Sequence, residues 1–122
     1  MARKLRVGIV GCGGIANAHL GGYQADGNVD IVAAYDPVRA SAEAMAAKSG
    51  AAVAGSVEEM VSKHRPDAVS VCSPPAAHLE NCRPFIEAGI AVLCEKPLEV
   101  NAARAAELAR LAAGRTAPFM VA

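Results

Sequence analysis

The 122-residue sequence predicts an α/β domain built on a doubly wound, parallel, six-stranded sheet. Three observations carry that prediction. Apolar runs alternate with helix-like runs along the whole length. Several of the apolar runs (Leu5-Arg6-Val7-Gly8-Ile9-Val10, Ala68-Val69-Ser70-Val71-Cys72 and Ile90-Ala91-Val92-Leu93-Cys94) are nearly continuous in small and apolar residues. Strands covered by helices on both faces read that way, and strict β-α alternation implies right-handed crossovers between parallel neighbours. The third is the glycine cluster Gly11-Cys12-Gly13-Gly14, where the first apolar run gives way to the first helical one.

Taken in order, a first strand is expected at 5–10 and a helix at 14–24, joined by that glycine turn. A second strand at 29–35 ends on Asp36, and Pro37 suits the first turn of a helix at 38–49 that stops at Gly50. After a short strand near 52–54, Ser56-Val57-Glu58-Glu59 is a capping box opening a helix at 57–64. A strand at 68–72 leads through Ser73-Pro74-Pro75-Ala76-Ala77-His78 into a helix at 77–88. Pro84 lies inside that helix and removes a bond to Glu80, so a kink or an early break is expected there. Gly89 ends it. A strand at 90–94 is followed by Glu95-Lys96-Pro97, Asn101 caps a helix at 102–113, Gly114 stops it, and a sixth strand fills 118–121.

Composition bounds the function. A hydrophobic content of 53% with 20% charged residues fits a globular protein with one core. Formal net charge is zero, there is no Trp and there are two Phe, so neither nucleic acid nor an anionic membrane is an expected partner. No apolar run approaches the roughly eighteen residues of a membrane span. The basic start, Arg3-Lys4-Leu5-Arg6, precedes a stretch broken by glycines and reads as a strand with a basic flank, not as a signal peptide. Cysteines 12, 72, 82 and 94 show neither Cys-x-x-Cys spacing nor a partnered His cluster. No metal site is expected, and the thiols fit a reducing, cytoplasmic setting.

The glycine turn carries the chemistry. Gly11, Gly13 and Ala16 form Gly-x-Gly-x-x-Ala between a strand and a helix, and Asp36 closes the second strand twenty residues past Ala16. In that context the pattern is a dinucleotide-binding fingerprint of the Rossmann type. Gly11 permits the tight turn, Gly13 lets backbone approach a pyrophosphate, and Ala16 lets the helix pack on the sheet. The helix N-terminus, over Gly14 and Ile15, offers unpaired N–H groups and about half a positive charge. Asp36 suits the adenosine ribose hydroxyls, which favours NAD over NADP; Arg39, one turn along, is the counter-argument. Cys12 is expected to contribute its backbone N–H. The plain alternative is a glycine-rich turn without ligand and a helix-capping Asp.

The glycine turn, Asp36, Ser73-Pro74-Pro75-Ala76-Ala77-His78 and Glu95-Lys96-Pro97 fall in an order and at spacings that resemble the glucose-fructose oxidoreductase / inositol dehydrogenase / MocA family of nicotinamide-dependent sugar and polyol dehydrogenases. The resemblance covers essentially the whole chain, as that family's N-terminal domain, and Glu-Lys-Pro is its specific part. It implies that Lys96 lies at the nicotinamide and contacts the reacting substrate oxygen, with Glu95 orienting it and Pro97 fixing the turn. An ammonium there polarises a carbonyl or stabilises an alkoxide. Ser73, Pro74 and His78 match the segment passing the pyrophosphate and nicotinamide ribose, so they are candidate cofactor contacts together with Glu95 and Lys96; His78, near a helix start, reads equally as a capping or packing residue. Pro75 stands where many members carry Asn and is assigned no polar contact. His19, on the outer part of the first helix, and His64 read as structural or solvent-facing.

Family members continue into a second α/β domain that carries substrate-binding residues. The expectation is therefore a single NAD(P)-binding domain over 1–122, with the substrate domain absent and the chain alone inactive toward sugars or polyols. A homo-oligomer is compatible with this reading. Two other classes stay open at this point: a non-catalytic dinucleotide sensor of the same fold, and an S-adenosylmethionine-dependent methyltransferase, against which Glu-Lys-Pro and the six-strand order speak.

Overall fold

A computed structural model describes residues 3–122. Strands β1 (Leu5–Val10), β2 (Val29–Tyr35), β3 (Ala52–Val53), β4 (Ala68–Val71), β5 (Ala91–Cys94) and β6 (Phe119–Val121) form one sheet in the order β3-β2-β1-β4-β5-β6. Every pairing is parallel. Chain order therefore reverses between β1 and β4, the place where a doubly wound sheet opens a crevice at its C-terminal edge.

The helices divide between the two faces. On one, α1 (Gly14–Asp26) and α2 (Arg39–Ser49) bury Ala16, Leu20, Ala42 and Met45 against Val7, Ile9, Ile31 and Ala34. On the other, α3 (Val57–Glu59) and its continuation, α4 (His78–Glu87) and α5 (Ala102–Ala112) bury Met60, Phe85 and Leu108 against Val69, Val71 and Val92. Period-2 alternation thus sends Val69 and Val71 to one side and Ser70 to the other. The α1/α2 layer does not extend across β6, where Met120 is 62% exposed.

Several expected details hold. Ser56 Oγ accepts the Glu59 N–H at 3.0 Å while the Glu59 carboxylate turns back to the Gly55 N–H, one residue before the cap. Asn101 Oδ1 accepts the Arg104 N–H at 2.9 Å. Others do not hold. Pro37 lies outside α2, whose N-cap is Val38. The expected 57–64 helix widens into a π-turn at Met60–His64, closed by an Arg65 N–H to Met60 O bond of 3.0 Å. Pro66 disfavours a helical Arg65, which adopts φ 47° instead, and Arg6 clamps the turn through the carbonyls of His64 and Arg65. Of the kink or early break expected at Pro84, the break is absent: α4 runs to Glu87. Pro84 falls in its last turn, and burial of Leu79, Cys82, Phe85 and Ile86 outweighs one missing N–H bond.

Candidate functional site

A groove of about 540 Å³ opens at the C-terminal edge where the strand order reverses, lined in part by Gly11, Gly13, Asp36, Ser73, Pro74 and Asn81. Five of these six were expected from sequence; Asn81 was not. The groove is set by the turn off β1. Gly11 has φ +84°, and a Cβ there would stand 2.7 Å from Cys72 C and Ser73 Cα. The two loops leaving β1 and β4 touch through backbone, so only glycine fits. Gly13 differs. Its φ is −88°, a Cβ would meet nothing within 4 Å, and its surface is exposed. Nothing in the chain itself requires a glycine at 13; a ligand lying against the turn would.

α1 begins there without a side-chain cap and with no acid in its first turn, so the N–H groups and positive dipole end over Gly14 and Ile15 face outward. Ala16, fully buried, lets α1 approach the sheet. An anion fits this end; the Ile15 side chain lies on the far side of α1, beside His19 and Glu95.

Asp36 follows β2 and is built into the turn. One carboxylate oxygen accepts the Cys12 N–H at 2.8 Å, and the other accepts the Val38 N–H at 2.8 Å. The Cys12 N–H expected for phosphate is therefore directed to Asp36. Each oxygen of Asp36 keeps a lone pair for an outside donor. Burial and the Asp36 charge push the Cys12 thiol up to about 11, which argues against a reactive thiolate at this helix end. Arg39 reaches Glu43 at 3.1 Å along its own helix, so it is not drawn toward Asp36.

After β4, Ser73 is buried and its Oγ accepts from Asn81 Nδ2 at 2.8 Å. His78 takes the packing position, one of its two expected readings. It has no exposure, its Nε2 lies 2.8 Å from Ser73 O and its Nδ1 3.1 Å from Leu98 O, so no ring atom reaches the groove. It supports the loop from beneath.

After β5, Lys96 is exposed and follows Glu95, whose carboxylate accepts the Lys96 N–H at 2.9 Å. His19 faces inward, contrary to the expectation of an outer position. Its Nε2 is 3.1 Å from Glu95 Oε1 and its Nδ1 is 3.0 Å from Ser70 Oγ, which also meets the Tyr23 hydroxyl. The His19 hydrogen bond, acting against burial, holds Glu95 below the usual carboxylate value. Sequence reasoning missed this chain because its members come from α1, β4 and the end of β5; the i, i+4 spacing of His19 and Tyr23 is the one local signal. His64 is half-buried, with its Nε2 unpartnered among the described residues.

Residues 5–122 match the family described as oxidoreductase family, NAD-binding Rossmann fold, the N-terminal domain of the glucose-fructose oxidoreductase / inositol dehydrogenase / MocA proteins. The chain belongs to this family. It is similar to D-glucoside 3-dehydrogenase of Escherichia coli K12, 38% identical over 85% of this chain and 30% of that protein. It is similar also to inositol 2-dehydrogenase of Rhizobium meliloti 1021, 30% identical over 96% of this chain and 35% of the relative. Among solved structures, GenD2 from gentamicin A biosynthesis, in complex with NAD, superposes with a TM-score of 0.90 at 30% identity, over 99% of this chain and 35% of that one. The chain thus spans about a third of the length of the relatives it matches. Family membership removes the methyltransferase reading, and NAD is the cofactor class of this domain.

Proposed function

We propose that this chain binds NAD across the C-terminal edge of β1, β2 and β4, and that it supplies the cofactor wall of a sugar or polyol dehydrogenase site in which Lys96 acts on the reacting oxygen. The carrying observation is the groove at the β1/β4 reversal, which gathers Gly11, Gly13, Asp36, Ser73 and Pro74 from three separate loops. In this reading the pyrophosphate lies over Gly13–Ile15, where the turn leaves room and the helix end is uncapped. The open lone pairs of Asp36 take the ribose diol. Its charge, with Arg39 turned to Glu43, disfavours a 2′-phosphate and hence NADP.

When bound, the nicotinamide supplies hydride chemistry. The residues of this chain hold and orient it. Lys96, exposed just past β5, presents an ammonium on the edge where the reacting carbon would sit, and Glu95, braced by His19, fixes the backbone from which Lys96 extends. The opposite, substrate-binding wall belongs in this proposal to polypeptide other than these residues, as the greater length of the relatives suggests. Four free, buried thiols support a reducing, cytoplasmic setting, and no helix among the described residues is long and apolar enough to cross a membrane.

Calorimetric titration with NAD tests the reading. Wild type should bind, and Gly13→Val, whose Cβ would meet nothing within 4 Å, should stay folded and lose binding. Equal affinity in the two proteins would remove the pyrophosphate from the glycine turn.

A further inference from the structure

We propose that His78 is a positioning residue that stays doubly protonated at neutral pH, and that its two N–H groups tie the loop after β4 to the loop after β5, setting the spacing of the two segments that face the cofactor. The tie stands on geometry within the chain; its effect on NAD rests on the reading above.

The acceptors decide the protonation state. Nε2 lies 2.8 Å from the Ser73 carbonyl and Nδ1 3.1 Å from the Leu98 carbonyl, and the residue has no exposed surface. A carbonyl oxygen only accepts. A neutral imidazole carries one N–H, so either tautomer would set a bare lone pair against a carbonyl at hydrogen-bond distance. The imidazolium satisfies both bonds.

The surroundings agree. Burial by itself lowers the His78 pKa, but Cys94 beside the ring and the two carbonyls outweigh it and raise the value to about 9. Several elements packed around α4 supply titratable or charged groups. β5 supplies Cys94, drawn below the usual thiol value by the Cys82 thiol and then by the His78 ring. α4 itself supplies Cys82, pushed up, and Arg83, which faces Glu107. The loop before α5 supplies Glu99 and α5 supplies Arg104, which engage each other at 3.0 Å, with Arg104 also reaching Glu80. α3 carries Glu58 and Glu59, the latter turned to Gly55.

The folded value is raised above the ordinary 6.5, so the tie contributes fully below about 6.5, weakens as pH rises and is lost above about 9. The position of His78 makes the effect local: Ser73 lines the cofactor groove, and Leu98 lies two residues beyond Lys96.

Nitrogen-15 NMR of the imidazole rings in this chain, without cofactor, is the direct test. At pH 7.5 both His78 nitrogens should report bound protons, with the transition near 9. A neutral single tautomer at pH 7.5 overturns the proposal. Titration with NAD adds a functional readout. Affinity in wild type should fall roughly fivefold to tenfold between about pH 7 and pH 9.5, and His78→Gln, with its single amide unable to span both carbonyls, should bind weakly at both values and show no such slope. A folded His78→Gln protein that keeps both wild-type affinity and wild-type slope also overturns it. Doubly protonated His78 in a chain that fails to bind NAD at any pH upholds the tie and defeats the cofactor reading instead.

Discussion

Gly11 and Gly13 stand two residues apart and lack a side chain for different reasons. Gly11 is required by the protein, because a Cβ would enter the backbone at Cys72 and Ser73 and because φ is +84°. Strain of that kind costs on the order of 1–3 kcal/mol before the clash is counted. Gly11→Ala should therefore lower the urea midpoint clearly, whereas Gly13→Ala should leave it nearly unchanged; equal midpoints for the two variants would contradict this division. The sequence motif made both positions legible but could not separate the reasons, because spacing does not report which loop presses on which. Asp36 is similar. Its place after β2 was readable, its two bonds to the Cys12 and Val38 N–H groups were not. Asp36→Ala should lose discrimination between NAD and NADP in paired titrations, and it should also destabilise the fold by about 1–3 kcal/mol, since two backbone donors lose a charged acceptor. An unfolding curve identical to wild type would show that the anchoring bonds carry no net stability.

At the scale of elements, one buried carboxylate joins the seam between α4 and α5. Glu99 has a fully buried side chain; it accepts the Leu79 N–H at 3.0 Å and the Val100 N–H at 2.7 Å and meets Arg104 at 3.0 Å. The Arg104 hydrogen bond first, then the two backbone N–H groups, bring it down to about 2 from 4.5 against the upward push of burial. A depressed carboxylate stabilises above its unfolded value, so this contribution is present above about 4.5 and is lost as pH falls toward about 2. Thermal melts across that window should show wild type losing stability with acid more steeply than Glu99→Gln. Parallel pH profiles would mean that the carboxylate's charge is not used. Element existence was legible from apolar alternation and caps, while winding was not. The π-turn before Pro66 is clamped by Arg6, remote in sequence, and the unbroken α4 at Pro84 rests on burying Leu79, Cys82, Phe85 and Ile86 against Val69, Val71, Val92 and Leu108, partners far along the chain.

For the molecule as a whole, the parallel six-strand order follows from strict β-α alternation, and that order brings three loops to one edge. The polar chain from Tyr23 through Ser70 and His19 to Glu95 could not be read from sequence, because only the folded sheet places α1 over β4 and β5. The same geometry leaves Lys96 exposed just past β5, and in the proposed reading the wall opposite it comes from other polypeptide. Orientation of both reactants supplies roughly 7–11 kcal/mol of a favourable rate enhancement, so this chain alone should show negligible polyol or sugar oxidation in a nicotinamide absorbance assay. Turnover that disappears in Lys96→Ala would show that a complete site forms without a second wall. The central claim is where NAD sits, and an amide NMR titration of the labelled chain with NAD addresses it most directly. Shifts should concentrate at Gly13, Gly14, Ile15, Asp36 and Ser73, with Asn81 following through its bond to Ser73, while α5 and the π-turn remain still. Saturable shifts confined to another surface, with the glycine turn unmoved, would contradict the account.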